Sequence, residues 1–194
     1  MGNYWVYAQW HVDSTRIDTV REEVLNVQNI ISDNTKIRAY GTYRFNYKNE
    51  PPEDALISLK ANGSNGLYYL GFRIPTDSLY NFDKGLYFKY PAKVGDMWEH
   101  TDVLYYPQNG EMVLGDTQTI TLVDTTKTVE TSAGIFKNCY VYTHWGFNNG
   151  DYLSTEKHYF YVKPRIGIIG VDTYIADDKD ELYGQWRLLE YKLN

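Results

Sequence analysis

Apolar and polar residues alternate with a period of two along most of the chain, the spacing that puts successive side chains on opposite faces of a β-strand. Near the start, Tyr4, Val6, Ala8 and Trp10 share one face, and Trp5, Tyr7, Gln9 and His11 share the other. Between Lys36 and Tyr47 the residues Ile37, Ala39, Tyr43, Phe45 and Tyr47 point one way, with Lys36, Arg38, Arg44 and Asn46 opposite. Thr117, Thr119 and Thr121 interleave with Gln118, Ile120 and Leu122, and the closing segment interleaves Trp186 and Leu188 with Arg187, Leu189 and Tyr191. Strands with one buried and one solvated face belong to antiparallel sheets.

One segment carries two periods. Val20, Val24, Val27 and Ile31 fit a helical spacing with Asp18 as its cap, while Thr19, Arg21, Glu23, Leu25 and Val27 fit a strand. The uniformly β surroundings favour the strand over 18–31. Turn chemistry punctuates the rest: Asn62-Gly63, Asn65-Gly66, Asn109-Gly110 and Asn149-Gly150 are hairpin dipeptides, because Asn and Gly tolerate positive φ. Gly95-Asp96 turns the chain ahead of a strand beginning near Trp98, and Ser132-Ala133-Gly134 feeds Phe136 and Cys139 into the next, with Gly134 at positive φ. Turns about every ten to fifteen residues imply about ten to twelve strands. No linker, repeat or low-complexity block divides the chain. The expectation is a single all-β domain over 1–194, a strongly curved antiparallel sheet closed as a half-barrel or folded as a sandwich.

Charge and composition narrow the function classes. Nineteen Lys and Arg against 25 Asp and Glu leave a formal charge of -6 with no basic run, which argues against nucleic acid and against an anionic membrane surface. No apolar stretch approaches the roughly eighteen residues needed to cross a bilayer. The start Met1-Gly2-Asn3-Tyr4 enters a strand pattern at once, so it reads either as a cytoplasmic start or as a boundary left by a removed leader. The single cysteine, Cys139, forms no intramolecular disulfide.

Catalytic and metal-binding patterns are sparse. There is no Gly-x-Ser-x-Gly elbow. Cys139 and His144 lie five residues apart, on opposite faces of a strand, so Cys139 reads as a buried inert thiol. His11, His100, His144 and His158 form neither His-Glu-x-x-His nor a Cys-x-x-Cys companion set. His144 and His158 flank Asn149-Gly150, but a two-residue turn there would oppose His158 to Val141, so a shared site depends on the register. Asp177-Asp178-Lys179-Asp180-Glu181, beside Asp172, lacks the calcium-loop spacing and reads as a solvated hairpin tip. A carboxylate pair for glycoside hydrolysis is a matter of three-dimensional separation that spacing leaves open. Phosphate-binding loops are absent, and no cofactor, metal ligand or catalytic residue is assigned. The Asn62-Gly63-Ser64 sequon is explained by its turn.

Aromatic residues carry the functional promise. The chain has 20 Tyr, 7 Phe and 5 Trp. Tyr68-Tyr69, Tyr87, Tyr105-Tyr106, Tyr140, Tyr142, Trp145 and Tyr159-Phe160-Tyr161 make both faces of several strands aromatic. Adjacent rings cannot all enter one core: some cover a second layer, line a cavity for an apolar ligand, or form a platform on which sugars stack. The candidate ligand-binding residues are Tyr68, Tyr105, Tyr142, Trp145, Tyr159 and Tyr161.

Four segments carry a resemblance. Gly2-Asn3-Tyr4-Trp5-Val6-Tyr7, Tyr90-Pro91-Ala92-Lys93-Val94-Gly95-Asp96-Met97-Trp98, the run Val129 to Tyr140 and Trp186-Arg187-Leu188-Leu189-Glu190-Tyr191 come in an order and spacing that resembles uncharacterised envelope proteins and lipoproteins of Bacteroides-like Gram-negative bacteria. The resemblance implies a secreted or periplasmic all-β domain, or one attached to the outer membrane, released from a lipobox upstream of Gly2. The curved sheet of lipoprotein carriers of the LolA and LolB type is a looser analogy, from which this chain departs by lacking helices for their apolar lid. The resemblance brings no catalytic residues. It implies a non-catalytic envelope domain that binds a lipid-like or other apolar small molecule, or an envelope protein partner. Carbohydrate binding by exposed Tyr and Trp, and a hydrolase without a recognisable motif, are the rival readings.

Overall fold

The computed structural model describes residues 2–12, 17–32, 35–46, 57–73, 85–106, 111–148, 152–153, 156–175 and 181–194. Every regular element among them is a strand: β1 (Tyr4–His11), β2 (Asp18–Ser32), β3 (Thr35–Asn46), β4 (Ile57–Gly63), β5 (Gly66–Arg73), β6 (Gly85–Lys89) and β7 (Met97–Tyr106). There follow β8 (Glu111–Thr131), β9 (Gly134–Asn148), β10 (Tyr152–Leu153), β11 (Glu156–Lys163), β12 (Gly167–Ile175) and β13 (Glu181–Lys192). Twelve run as one antiparallel sheet in the order β6-β5-β4-β3-β2-β1-β13-β12-β11-β9-β8-β7, and the short β10 pairs with β9.

The sheet curls until its two edges meet, so the fold is a nearly closed barrel rather than a two-layer sandwich. At the seam the Trp98 indole N–H of β7 donates to the Leu86 carbonyl of β6 at 2.8 Å. The His100 ring lies against Gly85, where any side chain on β6 would strike it. Curling in this way turns towards each other the two edges that a flat sheet of this length would present to other chains.

Strand β2 explains its own mixed period. A bulge between Val24 and Asn26 inserts one residue, so Val24 opposes Thr42 and Val27 opposes Tyr40, which share a face of β3. Val20, Val24 and Val27 therefore share one face of an extended strand at spacings of four and three, a helical signature without a helix.

The β8–β9 hairpin closes one end of the barrel. Register shifts at Leu122/Asp124, Asp124/Lys127 and Lys127/Val129 bend it repeatedly. Its turn uses Gly134 at φ 136°, as the sequence predicts, and Asn138 adds a left-handed residue at φ 55°. The bent tip lays Val129, Phe136 and Cys139 against Tyr7, Ile169 and Leu188, making an apolar floor with Trp5 and Trp186 packed on it. Cys139 is fully buried, as the sequence predicts, its thiol donates to the Phe136 carbonyl, and burial pushes its pKa up, away from the reactive thiolate. Above this floor, Phe88, Ile120, Leu122 and Tyr142 form a second interior cluster.

The predicted turns at Gly63–Gly66 and at Gly95-Asp96 are present, the latter leading into β7 at Met97. Asn109-Gly110, Asn149-Gly150 and Asp177 to Asp180 lie outside the described residues.

Candidate functional site

The barrel interior holds a cavity of about 740 Å³. Alternation builds its wall strand by strand. Tyr7, Gln9 and His11 reach it from β1, Ser58 and Lys60 from β4, Glu156, His158 and Phe160 from β11, and Trp186 from β13. Along β11 the lining passes from Phe160, packed on the apolar interior cluster, through His158 to Glu156. The site is thus an aromatic cup with a polar upper wall.

An ion pair sits in that wall. The Lys60 ammonium of β4 donates to the Glu22 carboxylate of β2, and both side chains are largely buried, at 15% and 7% exposed. Burial, and then the Glu22 charge, push the Tyr40 hydroxyl well above the ordinary tyrosine range. A buried pair of this kind is compensated only while both partners are present.

The histidines gather where the sequence left them apart. His158 of β11 pairs directly with His144 of β9, because the short β10 occupies the β9 edge first and sets a register that a two-residue turn cannot give. His158 therefore opposes His144, not Val141. The His144 ring is 1% exposed, 4.4 Å from the Phe160 ring and 4.8 Å from that of Tyr87. Burial above all, and then the neighbouring His158 and His100, hold its pKa well below 6.5. His158 is also lowered by burial, with Glu156 pulling the other way; its Nδ1 meets the Thr173 hydroxyl at 3.0 Å. No cluster of three or more metal-ligating side chains occurs among the described residues.

These lowered pKa values give the pH dependence a definite sign. Between the folded pKa and 6.5 the unfolded chain binds protons that the folded barrel refuses. Stability is therefore complete above about pH 7 and falls as pH drops below 6.5, by up to about 1.4 kcal/mol per pH unit for the fully buried His144 and less for the part-exposed His158. Urea melts at pH 7.5 and 5.5 measure this; the loss between them should shrink by about 1 kcal/mol in His144→Phe.

The six sequence candidates fall in different places. Tyr142 points inward but belongs to the second interior cluster, its ring 5.0 Å from Phe88 and its hydroxyl donating to the Lys89 carbonyl at 2.6 Å. Trp145, Tyr159 and Tyr161 come together on the outer face of β9 and β11. Lys157 lies over both the Trp145 and Tyr159 rings, and Tyr174 meets Tyr159 edge-on at 5.4 Å. A groove of about 280 Å³ runs there between Asp124, Lys127, Tyr159, Tyr161 and Tyr174. The Tyr161 hydroxyl is taken up by Asp172, itself bound by Arg187 at 2.6 Å. Tyr68 lies apart on β5, packed on the cluster of Ala39, Leu59, Ala61 and Leu70 with its hydroxyl on Asn65. Tyr105 pairs with Met112 in the β7–β8 ladder, and its side chain lies outside the described residues. The lumen residues Glu22, Thr42, Lys60, Phe160 and Trp186 were not singled out by the sequence. For Glu22, Thr42 and Lys60 the signal was a charged or hydroxyl residue at the in-phase position of a strand.

No family model and no curated protein matches the chain. Among solved structures, it is similar to a Bacteroides fragilis NCTC 9343 protein inferred to be exported and described as having a YmcC-like fold, at 15% identity and a TM-score of 0.55, over 99% of this chain and 96% of that one. It is also similar to a Parabacteroides distasonis ATCC 8503 protein inferred to be a lipoprotein, at 15% identity and a TM-score of 0.49, over 98% and 95%. The first of these likenesses shows the fold: a YmcC-like all-β barrel. Neither is described as a carrier of the LolA or LolB type.

Proposed function

We propose that the barrel is a non-catalytic, single-domain binding protein of the bacterial cell envelope that holds a lipid-like small molecule in its lumen. The observation that carries this reading is the cavity of about 740 Å³, aromatic at its base and polar along its upper wall. That volume lies in the range of drug-sized ligand sites, and the lining has their usual make-up, rings for contact area and a few polar groups for orientation. Envelope residence is supported by the resemblance of the sequence segments and by the descriptions of the two structural neighbours.

Trp186 lines the lumen, so a bound chain should alter its emission. Titration with a neutral single-chain amphiphile should change tryptophan fluorescence saturably in the native protein, and the change should fall by more than half in Trp186→Phe. An unchanged response in that variant, or no saturable response at all, would remove the lumen reading.

The outer groove supports a second reading, carbohydrate binding. Trp145, 40% exposed, and the half-buried Tyr159 offer rings for stacking, and Asp124 and Lys127 line the groove with Tyr159. A glycan panel that shifts the emission of the native protein but not of Trp145→Phe would favour it.

A further inference from the structure

Two buried polar atoms in the wall of the lumen have no hydrogen-bond partner among the described residues: His144 Nε2 on β9 and Thr42 Oγ1 on β3. Both residues line the cavity, at 1% and 2% exposed. An unsatisfied buried polar atom costs about 1–3 kcal/mol, so it marks a place where something else supplies the bond. The other His144 nitrogen is spoken for. Its Nδ1 faces the Gln118 side-chain oxygen at 3.3 Å, and with the Gln118 amide assigned in this orientation the proton sits on Nδ1. Nε2 is then a bare lone pair, an acceptor waiting for a donor.

The lining also says what the ligand's polar end is not. Among the described lining residues the one lysine, Lys60, is bound to Glu22, and a second carboxylate, Glu156, stands on the same wall 3.7 Å from His158. A fatty-acid carboxylate entering this lumen would meet an acceptor at His144, a negative charge at Glu156 and an ammonium already committed. A desolvated charge without a partner is strongly disfavoured. A hydroxyl suits both open positions, because it can donate to His144 Nε2 and can either donate to or accept from Thr42 Oγ1.

We infer that the lumen is selective for a hydroxyl-headed, uncharged amphiphile, with His144 and Thr42 as the residues that recognise its head. This rests on the lumen reading above and specifies its ligand class.

The test compares 1-decanol with decanoate, matched in chain length, by calorimetric titration of the intact protein at pH 7.5. The alcohol should bind at least about tenfold more tightly. In His144→Phe, which keeps a ring of similar size, that preference should fall at least about fivefold through loss of alcohol affinity. Thr42→Val, nearly isosteric, provides a second reading of the same effect if His144→Phe fails to fold. Equal binding of the two ligands, tighter binding of decanoate, or a preference unchanged in a folded variant would overturn the selectivity while leaving the lumen as a binding site. Failure of both ligands to bind would overturn the lumen reading and this inference with it.

Discussion

Lys60→Met is expected to lower the unfolding free energy by about 3–5 kcal/mol, because it takes the Lys60 counter-charge away from the Glu22 carboxylate buried in the barrel wall. Glu22 is 5% exposed as a residue, and its salt-bridge partner is the Lys60 ammonium of a strand two places away in the sheet. The pair itself contributes little net energy, since the desolvation of two ions roughly offsets their attraction; the damage comes from removing one partner alone. The double variant Lys60→Met/Glu22→Leu should accordingly recover most of the loss and lie within about 1–2 kcal/mol of the native protein. Urea denaturation of the four species gives the cycle directly. A loss under about 1 kcal/mol in Lys60→Met would mean that water reaches Glu22 and that the wall is not dry.

Gly66→Ala is the second substitution with a large expected effect, about 3 kcal/mol or more. Gly66 opens β5 after the β4 turn at φ 147°, a region essentially reserved for glycine. A Cβ there would press on the Phe88 carbonyl oxygen of β6 and come within 3.0 Å of the Lys89 Cα, and backbone atoms cannot step aside. Gly134 separates the two contributions. It has φ 136°, but nothing lies within 4 Å of its would-be Cβ, so Gly134→Ala should show only the backbone strain, about 1–3 kcal/mol. If the two variants melted alike, the close packing of β5 on β6 would not be what fixes this edge of the sheet.

The period of the chain was legible in its residues, and the side it faces was not always. On β1 the alternation separates Tyr7, Gln9 and His11 correctly, and they all line the lumen. On β4 the same rule misleads: Leu59 and Ala61 look like the inward face, yet Ser58 and Lys60 line the cavity. Leu59 and Ala61 instead pack with Ala39, Leu70 and Tyr68 on the other side of the sheet. A barrel with a polar lumen wall inverts the usual assignment, and only the closure of the sheet reveals it. The helical appearance of β2 has a similar origin, since one inserted residue turns a spacing of two into three.

The aromatic candidates were drawn from sequence density, and density follows sheet propensity as much as it follows function. Tyr159 and Tyr161 line one outer groove and Lys157 links Tyr159 to Trp145, whereas Tyr142 and Tyr68 pack in apolar clusters. The meeting of His144 with His158 was left open by the sequence, because its register depends on the two-residue strand β10 that shifts the return of the chain.

Native mass spectrometry of the protein isolated from its own cells, under gentle activation, addresses the lumen most directly. The native chain should carry an adduct of a few hundred daltons, and Ser58→Trp, which fills the cavity from β4, should run at the bare mass of its own chain. A native chain that flies empty, or a variant that retains the same adduct, would contradict a ligand held inside the barrel.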